Sequence, residues 1–100
     1  MKCLIILTCT LLAPALAHAQ GEPPAKEVTC RACHGAAGAA PLVPHYPKLN
    51  GQNKAYLVSS LKAYRDGQRN GGLAGVMAAQ AGQLSDVDIE ALAAYYGSQK

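Results

Sequence analysis

The sequence predicts a single all-α domain of three to four short helices joined by long loops. The chain has 100 residues, which is the length of one domain. Two stretches, around Leu57 and around Leu92, repeat apolar side chains with the period of a helix face. No stretch alternates apolar and polar residues with the period of two that a half-buried strand shows. These observations indicate helices and give no support for a sheet.

Residues 1–19 have the pattern of a cleaved secretory signal peptide. A positive start at Lys2 is followed by an apolar stretch and an Ala-x-Ala site that ends at Ala19. The apolar stretch is shorter than the roughly 20 residues that a membrane-spanning helix needs. A lipoprotein cysteine is a further alternative, but Cys9 lies early and lacks small residues before it. We expect cleavage after Ala19, a periplasmic mature domain of residues 20–100, and no membrane span in that domain.

The composition argues against some functions and leaves the core incomplete. Nine Lys and Arg against six Asp and Glu give a formal net charge of +3, which is too mild to predict nucleic-acid binding. All five aromatic residues are Tyr, and alanine makes up much of the apolar content. A small domain with so few large apolar side chains usually needs disulfides, a metal or a cofactor to hold it together. The composition therefore predicts a large apolar group at the centre of the fold.

The first helix is predicted over residues 26–33. Two prolines shortly before it suit a first helical turn, and Gly35 is a typical residue just past a helix C-terminus. Residues 35–51 contain three Gly and three Pro and show no helical or strand period. This composition predicts a long ordered loop.

The second helix is predicted to begin after Asn53, a typical N-cap residue, and to end at Gly67. Its apolar stripe consists of Leu57, Leu61 and Tyr64. Residues 67–83 contain repeated glycines, so we expect a second loop there.

The terminal helix is predicted to begin at Ser85 and to extend to about Ser98. The pattern Ser85-x-x-Asp88 has the spacing of a capping box. Apolar residues follow at helical spacing, namely Ile89, Leu92, Ala93 and Tyr96. The two loops between these helices are long for a small domain, and such loops usually carry function.

The segment Cys30-Arg31-Ala32-Cys33-His34 is a C-x-x-C-H motif, which in an exported chain indicates covalent attachment of c-type haem. The two thiols lie about one helical turn apart, so each could form a thioether with a haem vinyl group. A thioredoxin-like motif needs a βαβ setting, a zinc site needs four ligands, and a disulfide across two residues would be strained. We expect one haem c, held through Cys30 and Cys33, with His34 as the proximal iron ligand.

The second axial ligand must come from elsewhere in the chain, where the candidates are Met77, His45 and the lysines. Met77 is the only methionine besides the initiator, and no predicted helical stripe includes it. Methionines more often pack in cores, but electron-transfer cytochromes commonly pair His with Met. His45 lies in a proline-flanked loop close to His34 and is expected at the surface or the edge of the pocket. We therefore predict Met77 as the distal ligand.

These motifs together resemble those of class I c-type cytochromes, and most closely the small bacterial monohaem type that is similar to one half of the dihaem periplasmic cytochromes. The resemblance covers nearly all of the chain after residue 19. The matching segments are Cys30–Gly35, Pro47–Gln52, Tyr56-Leu57, Tyr64–Arg69, Met77 ahead of Leu84-Ser85-Asp86, and Asp88–Tyr96.

The resemblance implies a class I cytochrome c fold around one covalently bound haem. It implies that the Pro47 carbonyl accepts a hydrogen bond from Nδ1 of His34, which would fix the ring and its tautomer. It also implies that Leu49 packs on the haem and that Tyr95 lies where the first and last helices cross. Met77 matches the position of the family's distal ligand.

A haem whose axial positions are filled by His34 and Met77 has no open site for a substrate. The sequence therefore predicts an electron carrier rather than an enzyme: a monomeric one-electron shuttle between donor and acceptor redox proteins. Two alternatives stay open. A five-coordinate haem, without Met77 on the iron, would suit a gas sensor or peroxidase. A permanent cytochrome subunit of a larger dehydrogenase would use the same chemistry with a fixed partner.

Two surfaces are candidates for docking a redox partner. Five basic residues accompany a single acid, Asp66, in the middle of the chain: Lys48, Lys54, Lys62, Arg65 and Arg69. Such a run is more often a solvated face. Residues 36–40 form a small apolar strip next to the haem motif. We expect mostly apolar docking with weak electrostatic steering.

Overall fold

The computed structural model describes Thr10 and residues 22–100, so the predicted signal peptide lies outside the described residues apart from Thr10. The described chain forms four α-helices, numbered here in chain order. They are α1 (Glu27–His34), α2 (Lys54–Arg65), α3 (Ala74–Ala81) and α4 (Asp86–Gly97), with a short 3-10 turn, Ala36–Gly38, after α1. No strand occurs between residues 22 and 100, and the all-α prediction is confirmed. Within the same residues no helix is long and apolar enough to cross a membrane.

The core forms where α2 and α4 pack against each other, and α3 packs on α2. The buried cluster consists of Leu57 from α2 and Leu92, Ala93 and Tyr96 from α4. Partly buried side chains close around it, namely Cys30, Leu49, Val58, Leu61, Leu84 and Tyr95. The core is therefore built by the two helices whose apolar stripes are clearest in the sequence.

The end of α1 is set by glycine. The α1 helix ends at His34, and Gly35 has a φ of +82°, a backbone conformation that residues with a side chain rarely adopt. A Cβ at position 35 would also collide with the carbonyl oxygen of Ala40. The chain therefore turns away immediately after His34, which leaves this side chain at the last position of the helix.

The structure differs from the sequence prediction at α3. Residues 67–83 were expected to form a loop, but residues 74–81 form a helix of eight residues. Half of this helix is alanine, the residue with the highest helix propensity, and this outweighs the cost of Gly75. The prediction of a continuous loop was wrong, and Met77 lies on a helix.

The start of α4 is the predicted capping box. The Ser85 hydroxyl accepts a hydrogen bond from the Asp88 amide at 3.1 Å, and the Asp88 carboxylate accepts one from the Ser85 amide at 3.0 Å. Lys26, just before α1, pairs with Asp88 at 3.0 Å and donates to the Gln83 carbonyl at 2.9 Å. Asn53 occupies the N-cap position of α2 as predicted, but its side chain makes no capping hydrogen bond.

The hydrogen bond between the first and last helices involves Tyr96. The Tyr96 hydroxyl donates to the Glu27 carboxylate at 3.1 Å. Tyr95, which the resemblance placed at this crossing, is half-buried, and its ring meets that of Tyr96 at an angle of 62°. Tyr96 follows Leu92 by one helical turn, so it shares the core-facing side of α4.

Candidate functional site

His34 is buried, with 5% of its surface exposed, and its ring is fixed by one hydrogen bond. Nδ1 lies 2.7 Å from the carbonyl oxygen of Pro47. A carbonyl oxygen can only accept, so Nδ1 carries the proton and donates. In the neutral imidazole with this tautomer, Nε2 carries the lone pair that can bind a metal. The geometry that the resemblance implied for His34 and Pro47 is therefore present in the fold.

The loop that supplies the Pro47 carbonyl is held by its own backbone. The Leu49 amide donates to the Gly38 carbonyl at 2.9 Å, and the Gly51 amide donates to the Tyr96 carbonyl at 2.9 Å. These bonds tie residues 47–51 to the 3-10 turn and to the end of α4. They leave Leu49 half-buried against the core cluster.

Both cysteines of the motif are free thiols and are partly buried. They lie on the same helix as His34, one turn apart. Burial raises the pKa of the Cys30 thiol above its ordinary value.

The predicted site residues surround a cleft with two lobes. The larger lobe has a volume of about 540 Å³ and the smaller about 180 Å³. Both are lined by Cys30, His34, Pro47, Tyr64, Arg69 and Met77. The wall carries thiols, which can attach a c-type haem covalently. It also carries an imidazole with a free Nε2 and a thioether, which are iron ligands in such haems. The residues present therefore fit that cofactor.

The remaining predicted residues lie at different parts of the cleft. Cys33 lines the larger lobe, and Leu49 lines the smaller lobe beside Leu57 and Leu92. Met77 is half-buried and lines both lobes. His45 is exposed and lines the larger lobe, which agrees with its expected place at the edge of the pocket.

Tyr64 and Arg69 were not predicted as site residues, yet both line both lobes. The Arg69 guanidinium lies over the Tyr64 ring, 4.6 Å from its centroid, as a cation–π pair. The turn at Gly67 folds the chain back, and the amide of Arg69 donates to the Ala63 carbonyl at 3.2 Å. The spacing Tyr64-x-x-Gly67-x-Arg69 was the available signal, since a turn there returns the arginine to the tyrosine.

Two of the five basic residues in the middle of the chain, Lys54 and Arg65, are engaged in ion pairs. Arg65 contacts Asp86 at 2.7 Å and Asp66 at 3.3 Å, and Lys54 contacts Glu90 at 3.3 Å. The hydrogen bond from Arg65 holds the pKa of Asp86 below its ordinary value. These pairs favour the interpretation of this stretch as a solvated face rather than a dedicated docking site.

The apolar surface near the cleft extends beyond the predicted alanine strip. Within that strip Ala36, Ala39 and Ala40 are exposed, while Gly38 is buried against Leu49 and Tyr96. Large apolar side chains are also exposed, with exposed fractions of 72% for Leu42 and 60% for Leu73. Leu73 also lines the larger lobe.

Comparisons with known proteins show the family to which the chain belongs. Residues 17–95 match the family described as cytochrome C oxidase, cbb3-type, subunit III. Cytochrome c-554(548) of Halomonas halodenitrificans is 58% identical over 72 residues, which is 72% of this chain and 86% of that protein. Cytochrome c4 of Stutzerimonas stutzeri is 40% identical over 108 residues, which is 99% of this chain and 51% of that protein.

A solved structure gives the same result at the level of the fold. The crystal structure of reduced recombinant cytochrome c4 from Pseudomonas stutzeri superposes with a TM-score of 0.63 at 36% identity. The match covers 71% of this chain and 38% of that chain. The chain thus spans about half the length of the cytochromes c4 that it matches.

Proposed function

Because this chain belongs to the class I c-type cytochromes and is similar to one half of a dihaem cytochrome c4, we propose that it is a periplasmic one-electron shuttle whose haem c is ligated by His34 and Met77. The family carries covalently attached haem c, and Cys30 and Cys33 are its attachment points in this chain. The protein is an electron carrier and not an enzyme. The observation that carries the ligand proposal is the hydrogen bond of 2.7 Å between His34 and Pro47.

His34 acts as the proximal ligand through Nε2. The Pro47 carbonyl accepts the Nδ1 proton, which fixes the tautomer and the orientation of the ring and makes Nε2 a better donor. Since His34 is the last residue of α1 and adjoins Cys33, the covalent attachment and the axial ligand belong to one rigid element.

Met77 acts as the distal ligand from α3. Its position on the wall of both lobes supports this role, and a helix holds the side chain more firmly than the expected loop would. When bound, the haem supplies a one-electron iron couple whose potential is raised by His/Met ligation. The chain holds both axial donors, limits the access of water and leaves apolar surface for a partner.

The proposed partners are donor and acceptor redox proteins with an apolar contact patch. Exposed Leu42, Leu73 and Val76 and half-exposed Val43 support an apolar contact. The export and cleavage of residues 1–19 belong to the same proposal, and residues 20–100 then form the mature monohaem domain.

The ligand proposal is tested by substituting Met77 in the holoprotein. Met77→Ala should abolish the weak near-infrared band of an Fe(III)–S bond, lower the reduction potential and let exogenous ligands bind. His45→Ala is the matched control, because His45 also lines the cleft but is exposed, and it should do none of these. An unchanged spectrum and potential in Met77→Ala would reject Met77 as a ligand. A five-coordinate or bis-histidine haem would then have to be considered.

A further inference from the structure

Glu27 is a wholly buried carboxyl group close to the haem-attachment motif. None of its surface is exposed, and among residues 22–100 it and His34 are the buried polar side chains. One carboxylate oxygen accepts the hydroxyl of Tyr96 at 3.1 Å. The other accepts Nε of Arg31 at 2.7 Å and Nη2 of the same residue at 2.6 Å. Both oxygens are therefore hydrogen-bonded.

Glu27 is partnered as a carboxylate, because every hydrogen bond that its side chain makes is one that it accepts. An isolated buried carboxylate would be strongly destabilised, whereas one with a guanidinium and further donors is tolerated. The first turn of α1 adds the positive end of a helix dipole. Burial raises the pKa of Tyr96 far above its ordinary value, so the phenol keeps the proton that it donates to Glu27.

The charge of Glu27 lies directly behind the wall of the cleft. Tyr96 and Cys30 both line the smaller lobe, and Glu27 bonds to the first and precedes the second by one helical turn. Arg31 pairs with Glu27, but 45% of the Arg31 side chain is exposed, whereas none of the Glu27 side chain is. Water screens the guanidinium more than the carboxylate. The Glu27–Arg31 pair therefore makes a net negative contribution to the electrostatic potential in the cleft.

We propose that Glu27 is a buried anion that lowers the reduction potential of the haem, held in place by Tyr96 and only partly offset by Arg31. This inference rests on the proposed electron-transfer function. The oxidised haem carries one more positive charge than the reduced haem, so a nearby negative charge stabilises the oxidised form. Glu27 does not line the cleft, so it tunes the haem through the protein wall rather than by contact.

The test is a double-mutant cycle at Glu27 and Arg31 in the holoprotein, with midpoint potentials measured by spectroelectrochemical titration. Glu27→Gln keeps the shape and the bond to Tyr96 but removes the charge, and it should raise the potential. Arg31→Gln removes the partial compensation, and it should lower the potential. The double variant removes both charges, so its potential should lie above that of the wild type and below that of Glu27→Gln. Glu90→Gln is the control, because Glu90 pairs with Lys54 while 53% of its side chain is exposed, and its shift should be much smaller.

The near-infrared Fe(III)–S band separates a charge effect from a disturbed iron site, since a pure charge effect leaves the band in place. Glu27→Gln with an intact band and an unchanged potential would overturn the inference. If that variant fails to retain haem, the double variant Glu27→Gln/Arg31→Gln, which leaves no unpaired charge, takes its place, and a potential no higher than that of the wild type overturns the inference. If the wild-type holoprotein shows no reversible one-electron couple, the proposed function is rejected as well. If the wild type is reversibly reduced and oxidised but the variants have the same potential, only the role of Glu27 is rejected.

Discussion

Gly38 lies where the loop after the haem motif passes closest to the core. Its φ is +67°, and an added Cβ would lie 2.7 Å from Cβ of Leu49 and 3.1 Å from the Tyr96 ring. Gly38→Ala combines a left-handed backbone with overpacking, so we expect a loss of about 2–4 kcal/mol in the free energy of unfolding. Chemical denaturation of the holoprotein, followed by circular dichroism, measures this loss.

Gly72 provides the matched control for Gly38. It also has a positive φ, +54°, but nothing lies within 4 Å of an added Cβ. Gly72→Ala should therefore show only the backbone cost of about 1–2 kcal/mol. An equal loss in the free energy of unfolding in the two variants would show that close packing around Gly38 adds nothing to the cost of the substitution.

Single residues were predictable from the sequence where their chemistry is local. Cys30, Cys33 and His34 form one contiguous motif, and the hydrogen bond from His34 to Pro47 was implied by the family resemblance. Glu27 could not be recognised, because its burial depends on Tyr96, which lies far away in the sequence. A lone glutamate at a helix start ordinarily indicates nothing more than a favourable interaction with the helix dipole.

At the scale of one element, the start of α4 carries two carboxylates whose pKa values are lowered. The Ser85 amide, helped by Lys26, lowers the pKa of Asp88, and the Arg65 guanidinium lowers that of Asp86. A carboxylate of this kind stabilises the fold above its unfolded pKa, and the contribution disappears as the pH falls through the folded value. The start of α4 should therefore weaken as the pH falls below the ordinary value of 3.8.

Asp88→Asn tests this acid dependence. The amide oxygen can still accept from the Ser85 amide, so the capping geometry is kept, but the side chain no longer titrates. We expect the variant to be less stable than the wild type at neutral pH and to lose less stability between neutral pH and pH 3. Thermal unfolding of both holoproteins across this range gives the comparison. Parallel pH profiles would show that Asp88 contributes no acid sensitivity.

The elements differ in how far the sequence could predict them. The α4 helix was predictable because Ser85 and Asp88 mark its start and an apolar stripe follows. The α3 helix was not, because its alanines show no apolar periodicity and the glycines around it resemble a loop. Its formation depends on propensity and on packing against α2, and packing is a tertiary effect that a local pattern does not contain.

In the molecule as a whole, the cleft separates the helix that carries the haem motif from the helix that carries Met77. The α2 and α4 helices pack directly, but side-chain bonds provide much of the link between α1 and α4: Glu27 to Tyr96 and Lys26 to Asp88. The presence of a central cofactor was predictable from the shortage of large apolar side chains. The walls of the cleft were not, because Tyr64 and Arg69 join them only through the turn at Gly67.

The same arrangement predicts that the domain cannot fold without its haem. Among the described residues, the largest fully buried side chains are Ile89, Leu92 and Glu27, and one of these three is a carboxylate rather than an apolar group. A domain of this size buries too small a fraction of its surface to offset the conformational entropy with so little apolar area. The haem would fill the cleft, attached to α1 by its two thioethers and packed against the other walls.

The variant Cys30→Ser/Cys33→Ser, which cannot form the thioethers, should therefore lose most of its helical circular dichroism once free haem is removed. The wild-type holoprotein, prepared in parallel, should keep its helical spectrum and unfold cooperatively on heating. The single variant Cys33→Ser retains one thioether and should keep haem and helicity, with a lower midpoint of thermal unfolding than the wild type. A native-like helical spectrum in the haem-free double variant would show that the packing of α2 against α4 is sufficient to fold the chain. The cofactor would then serve electron transfer without being needed for folding.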